Sequence, residues 1–207
     1  NAENFGEHMS NDASFEMGDI TFDGNTVHCD QGIYVDWIYG FGTDMKNTTS
    51  FEMGDITFNE NTVTTSSGGY YGIYVYEIGE YLAHDMSGTA SFMMGDITIN
   101  DNNITSDGDG IYVENINRIG YNMSDNTTCI MGNIEVNDNV INSSSEGIHI
   151  YRISYIGYEL YDDATFGMGD ITFNCNVIDS NGSTGIYVEE YIQYFGAYME
   201  GNAIFIM

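Results

Sequence analysis

Apolar and polar positions alternate along this chain in short runs, and helix-type spacing is weak throughout. "ITF" at Ile20, "NTV" at Asn25 and "GIYV" at Gly32 carry β-branched and aromatic residues and are bounded by Gly, Asn, Asp and Ser. The pattern predicts strands. Ile20 and Phe22 point inward, and Asp23 and Gly24 turn the chain. Asn25 and Val27 point inward on the next side, and Ile33 and Val35 face in with Tyr34 outward.

These strands recur. "SFEMGDITF" at Ser14 returns at Ser50, then as "SFMMGDITI" at Ser91, "CIMGNIEV" at Cys129 and "TFGMGDITF" at Thr165. Its glycines, Gly18, Gly54, Gly95, Gly132 and Gly169, are spaced by 36, 41, 37 and 37 residues. A second anchor is Gly-Ile-Tyr-Val at Gly32, Gly72, Gly110 and Gly185, worn to Gly-Ile-His-Ile at Gly147. A third is an apolar residue, then Gly or Ala, then Met or Leu three positions on: Phe5-Gly6, Phe41-Gly42, Leu82-Ala83, Ile119-Gly120, Ile156-Gly157 and Phe195-Gly196. From each Met-Gly glycine to a following asparagine is always 7 residues, while the gap before the next Gly-Ile-Tyr-Val runs 5, 9, 6, 6 and 7. One edge takes insertions and the rest keeps register, as stacked coils require. The expected fold is an all-β, right-handed parallel β-helix (β-solenoid) of five coils of three or four strands. At about 4.8 Å per coil it rises only about 24 Å.

"GDITFNENTV…GIYVYEI" resembles the parallel β-helix repeat of pectin-lyase-like proteins, and especially archaeal and bacterial surface or adhesin-like β-solenoid proteins. There, I-x-I-x-x-N-x-I is followed by G-I-x-I. The resemblance covers nearly the whole chain at the level of the fold. The interval here is longer than those families use, which leaves open one large coil per repeat or two small ones. The resemblance also raises a polysaccharide lyase or hydrolase. A lyase of that type needs a basic residue, yet Lys46, Arg118 and Arg152 sit in three different repeat phases. His8, His28, His84 and His149 are likewise scattered, so the expectation is no enzyme.

Charge narrows the partners. Asp and Glu number 32 against 3 Lys and Arg, a formal charge of −29. That excludes nucleic acid and disfavours anionic lipid, and it fits solubility, cation binding or a polyanionic coat. Hydrophobic residues at 42% and aromatics at 14% argue for a folded core, and the absence of Pro suits unbroken ladders. No run reaches membrane-span length, so no direct membrane insertion is expected. The chain shows neither a starting Met nor a signal peptide, and is expected to be processed or cut from something longer. Cys29, Cys129 and Cys175 have no zinc or disulfide spacing. Six sequons, at Asn47, Asn103, Asn122, Asn126, Asn142 and Asn181, favour an extracellular or cell-surface location and possible glycosylation.

Stacked coils align equivalent residues. Asn25, Asn61, Asn102, Asn139 and Asn176 are expected to form an amide ladder. Asp19, Asp55, Asp96 and Asp170, with Asn133 among them, form a carboxylate column. Its repulsion is relieved by backbone N–H groups or by calcium, the one cofactor considered. Tyr34, Tyr74, Tyr112 and Tyr187, with His149, form an exposed aromatic column for cross-strand stacking, sugar rings or another subunit.

Both ends of the chain fall inside a repeat without polar caps. Residues 1–207 thus read as a single solenoid domain within a longer array or a head-to-tail polymer. The polymer joins residues near Asn1–Phe22 to residues near Gly185–Met207 through Phe5, Phe15, Met17, Ile20 and Phe22 on one side. Ile186, Val188, Phe195, Met199, Phe205 and Met207 form the other. The expected function is a non-catalytic structural protein of an extracellular filament, sheath or surface layer whose partners are copies of itself. The alternative is a carbohydrate-binding adhesin or stalk module that engages glycans or other cell-surface components.

Overall fold

The computed structural model describes residues 2–66, 68 and 70–207, with the backbone alone at 190 and 191. The chain winds as a right-handed all-β solenoid of about five stacked turns. Its second coil shows the plan: strands Ser50–Met53, Ile56–Thr57, Thr62–Thr65 and Tyr71–Gly79. Each pairs in parallel with the equivalent strand of the coil before and the coil after. Ser50 lies between Ser14 and Ser91, Ile56 between Ile20 and Ile97, and Ile73 between Ile33 and Ile111. The pairing partner is always one full repeat away, so each repeat is one large four-stranded coil.

Four parallel sheets result. The longest strands, including Asp109–Ile119 and Ile148–Ile156, build a six-stranded long sheet. The strands of the Met-Gly anchor, from Ser14–Met17 to Ile204–Ile206, build the other six-stranded sheet. The Ile-Thr strands and the strands after the ladder asparagines make two five-stranded sheets. The insertion edge lies between an asparagine-sheet strand and the long strand that follows it, in the second coil between Thr65 and Tyr71.

Inward residues stack on their own kind. Phe15, Phe51 and Phe92 lie 5.1 and 5.2 Å apart, and Phe166 and Phe205 are 5.5 Å apart. Cys129 takes the missing rung between Phe92 and Phe166, so its buried thiol is a core group, and burial pushes its pKa up. Beneath this column runs the third anchor in left-handed backbone conformation, as at Gly42 (φ 63°) and Gly120 (φ 64°). A Cβ on Gly42 lands 2.6 Å from a Phe92 ring carbon, and one on Gly120 lands 2.3 Å from Phe166. The single alanine at this place, Ala83, belongs to the coil whose successor carries Cys129 in place of phenylalanine. Small and large residues are therefore exchanged as a pair between neighbouring coils.

Candidate functional site

Asparagine chemistry holds the corners. The N–H and the Nδ2 of Asn25 both donate to Asn61 Oδ1 at 3.0 Å, and Asn61 donates the same way to Asn102 at 2.9 Å. The pattern continues through Asn139 to Asn176. The spare amide hydrogens of Asn102 and Asn139 reach the buried carbonyls of Phe58 and Ile99, both at 2.8 Å. The expected amide ladder is thus present, and it also closes the preceding turn.

The carboxylate column is relieved by backbone. Asp19 Oδ1 accepts from the Asp55 N–H at 3.0 Å, Asp55 from Asp96 at 2.8 Å, Asp96 from Asn133 at 2.6 Å, and Asn133 from Asp170 at 2.9 Å. A third ladder stands beside it, absent from the sequence expectation: Asp23, Asn59, Asn100, Asn137 and Asn174. Each of the first four accepts the N–H of the next ladder residue, at 2.6 or 2.7 Å. Its signal was available, because an Asp or Asn precedes every ladder asparagine by two positions.

On the long sheet the aromatic column is formed as expected. Tyr34 and Tyr74 are 4.9 Å apart, Tyr74 and Tyr112 stack at 5.2 Å, and His149 lies 4.6 Å from Tyr112 and 5.1 Å from Tyr187. Tyr71 packs on Tyr74 and Tyr112. Tyr34 and Tyr187 are exposed and the middle rungs half-buried, their faces turned to one another. Where the insertion edge meets this column it opens a cleft of about 470 Å³, lined by Gly68, Tyr70, Tyr71, Asp107, Gly108, Asp109, Ser145, Glu146 and His149.

The cleft floor is built from register. Asp109 and Glu146 both precede the glycine of the second anchor in successive coils, a position held elsewhere by Gln31, Tyr71 and Thr184. His149 takes the tyrosine position. Asp109 is buried, and its Oδ1 accepts the Glu146 N–H at 3.2 Å while its Oδ2 faces His149 Nδ1 at 3.1 Å. The other ring nitrogen lies 2.9 Å from Glu189 Oε2. Glu146 accepts from the Ser145 hydroxyl and from Ser183 at 3.0 Å. Burial raises the Asp109 carboxyl pKa, whereas the Ser145 hydroxyl holds that of Glu146 below the usual range. Among the described residues this is the one place where three His, Cys, Asp or Glu ligand atoms lie within 4.8 Å of one another. Sequence reasoning placed His149 in the aromatic column and missed both carboxylates beside it.

The remaining candidates sit apart. Lys46 pairs with Asp44 at 2.6 Å, Arg118 with Glu80 at 2.9 Å, and Arg152 grips Asn115 Oδ1 at 2.9 and 2.7 Å. Inside the long sheet Glu77 accepts from Asn117 Nδ2 at 2.6 Å; burial, then Glu80, pushes its pKa up to about 7. Cys29 and Cys175 are exposed. Five of the sequon asparagines are exposed, and Asn122 is half-buried with its amide on Asp85. Among the end residues, Phe15, Met17, Ile20, Phe22, Phe195, Met199 and Phe205 pack partly on the core. Phe5, Ile186, Val188 and Met207 are exposed, and Asn1 lies outside the described residues.

No family model, curated protein or solved structure matches this chain. The resemblance to pectin-lyase-like and surface β-solenoid proteins is therefore shown at the level of the parallel β-helix fold alone.

Proposed function

We propose that this protein is a non-catalytic structural protein of an extracellular filament, sheath or surface layer, extended by end-to-end stacking of its coils. The observation that carries this is the burial that each coil gains from the coil stacked on it. Ile148, Ile150 and Ile153 are 0–1% exposed, whereas their partners in the last coil, Ile186, Val188 and Ile192, are 36–47% exposed. Covering such a residue is worth roughly 1.5 kcal/mol at about 25 cal/mol per Å². Among the described residues the strand Ile186–Gln193 is the edge of the long sheet, and the backbone on its open side suits a further parallel strand. The next rung is the same surface whether it comes from the same polypeptide or from another copy. A second copy pairs first along the two six-stranded sheets, and the five-stranded sheets leave one rung open at such a joint.

Light scattering of the purified chain beside its Ile192→Lys variant tests this. Wild type is expected to grow in mass with concentration and the variant to stay monomeric with an unchanged melting temperature. Equal monomeric behaviour of both sinks the proposal. A carbohydrate-binding module is the second reading, favoured by the tyrosine-walled hollow of Tyr34, Tyr70, Tyr71 and Tyr74 at the insertion edge. Glycan binding lost on Tyr70→Ala, in a chain that does not assemble, selects it instead.

A further inference from the structure

The imidazole of His149 sets a problem in proton counting. A neutral ring carries one N–H, yet both its nitrogens face carboxylate oxygens, at 3.1 Å on Asp109 and 2.9 Å on Glu189. If Nε2–H donates to Glu189, then the Nδ1 lone pair points at the Asp109 Oδ2 lone pairs. A positive charge must lie between them, either a second ring proton that makes the imidazolium or a metal ion. Three carboxylates, those of Asp109, Glu146 and Glu189, surround this ring in a chain of net charge −29. No Lys or Arg ion pair reaches them among the described residues.

We propose that Asp109, Glu146 and His149 bind a divalent transition-metal ion of the zinc class, with an open coordination position facing the cleft. Tetrahedral ligands at about 2.0 Å from zinc stand about 3.3 Å apart, close to the separation that Nδ1 and Oδ2 already hold. Glu189 on the far ring nitrogen supplies the outer-shell acceptor that fixes the tautomer of a metal-bound histidine. One imidazole nitrogen with two carboxylates suits zinc or manganese better than calcium, whose ligands are oxygens. The cleft of about 470 Å³ leaves room for water or a ligand group at the fourth position. The site also explains why the fourth coil departs from Gly-Ile-Tyr-Val at this place. It is independent of end-to-end assembly, since it lies between the third and fourth coils.

The fold itself provides a conservative variant. His149→Tyr removes the nitrogen ligand and restores the residue found at the same rung in the other four copies. Glu146→Thr likewise installs the residue of the next coil, Thr184. Zinc binding is measured by calorimetry in a Cys29→Ser, Cys175→Ser background, which removes the exposed thiols. Cobalt absorption serves as a second readout, and circular dichroism checks the fold. Expected are one zinc per chain, an affinity about 10-fold lower in Glu189→Gln, and a loss beyond about 100-fold in His149→Tyr and in Glu146→Thr. Equal zinc stoichiometry and affinity in wild type and in either of these last two variants overturns the proposal. So does failure of the folded wild-type chain to bind zinc or manganese.

Discussion

The exchange of Gly for Ala at position 83 beneath Cys129 can be reversed by mutation, and its energy follows from the structure. At the other steps a Cβ on the glycine lies 2.4 Å (Gly6 to Phe51), 2.6 Å (Gly42 to Phe92), 2.3 Å (Gly120 to Phe166) or 2.6 Å (Gly157 to Phe205) from a ring carbon. Ordinary carbon contacts are about 3.5–4.0 Å, so a phenylalanine above Ala83 overlaps its methyl by about 1 Å. Cys129→Phe alone is therefore expected to cost about 2 kcal/mol, a fall of about 6 °C in melting temperature for a chain of this size. Ala83→Gly alone is near neutral. It relieves about 1 kcal/mol of strain at φ 52° and gives up a similar amount of methyl burial. The double variant continues the phenylalanine stack and is expected to regain wild-type stability or better, a coupling of about 2 kcal/mol. Urea and thermal unfolding of the four proteins measure the cycle. Additivity within about 0.5 kcal/mol would refute the claim that these two positions are exchanged as a pair.

Asn102→Ala strips the partners from Phe58 O and from the Asn61 N–H, both in the buried ladder, and is expected to cost about 4 kcal/mol by chemical denaturation. Asp55→Asn keeps an oxygen for the Asp96 N–H, as Asn133 does for Asp170, and removes one of three successive like charges. It is expected to raise stability by about 0.5 kcal/mol at low salt, a gain that shrinks in 1 M salt. Glu77 has its folded pKa raised from 4.5 to about 7, so the folded state holds a proton that the unfolded state releases between those values. Stability is full below pH 4.5 and falls as pH rises through about 7, by about 2 kcal/mol after allowance for solvent screening. Glu77→Gln is expected to abolish that fall in melting curves taken from pH 4 to 9.

The coil was legible because a solenoid writes its contacts into a period. Fixed spacing from Gly18 to Asn25 and its copies located the ladder, and the variable gap before Gly72 located the protruding edge. What period alone left open was the size of the coil, settled by Ser14 pairing with Ser50 one whole repeat away. The Asp23 ladder stayed hidden because turn residues of mixed Asp and Asn identity look like ordinary turn chemistry. The cleft was harder still. Asp109 and Glu146 are 37 residues apart, and the cleft they face is walled in part by Gly68 and Tyr70 of the second-coil insertion. His149 was visible as a substitution in the tyrosine column, but its meaning depends on carboxylates that stacking brings to it.

Stacking that continues from one copy to the next is the central claim, and electron microscopy with diffraction of the purified chain tests it most directly. The expected result is unbranched filaments with a meridional reflection at about 4.8 Å, lost in Ile192→Lys. Single particles of 23.0 kDa at every concentration, with both terminal coils unpaired, would contradict it.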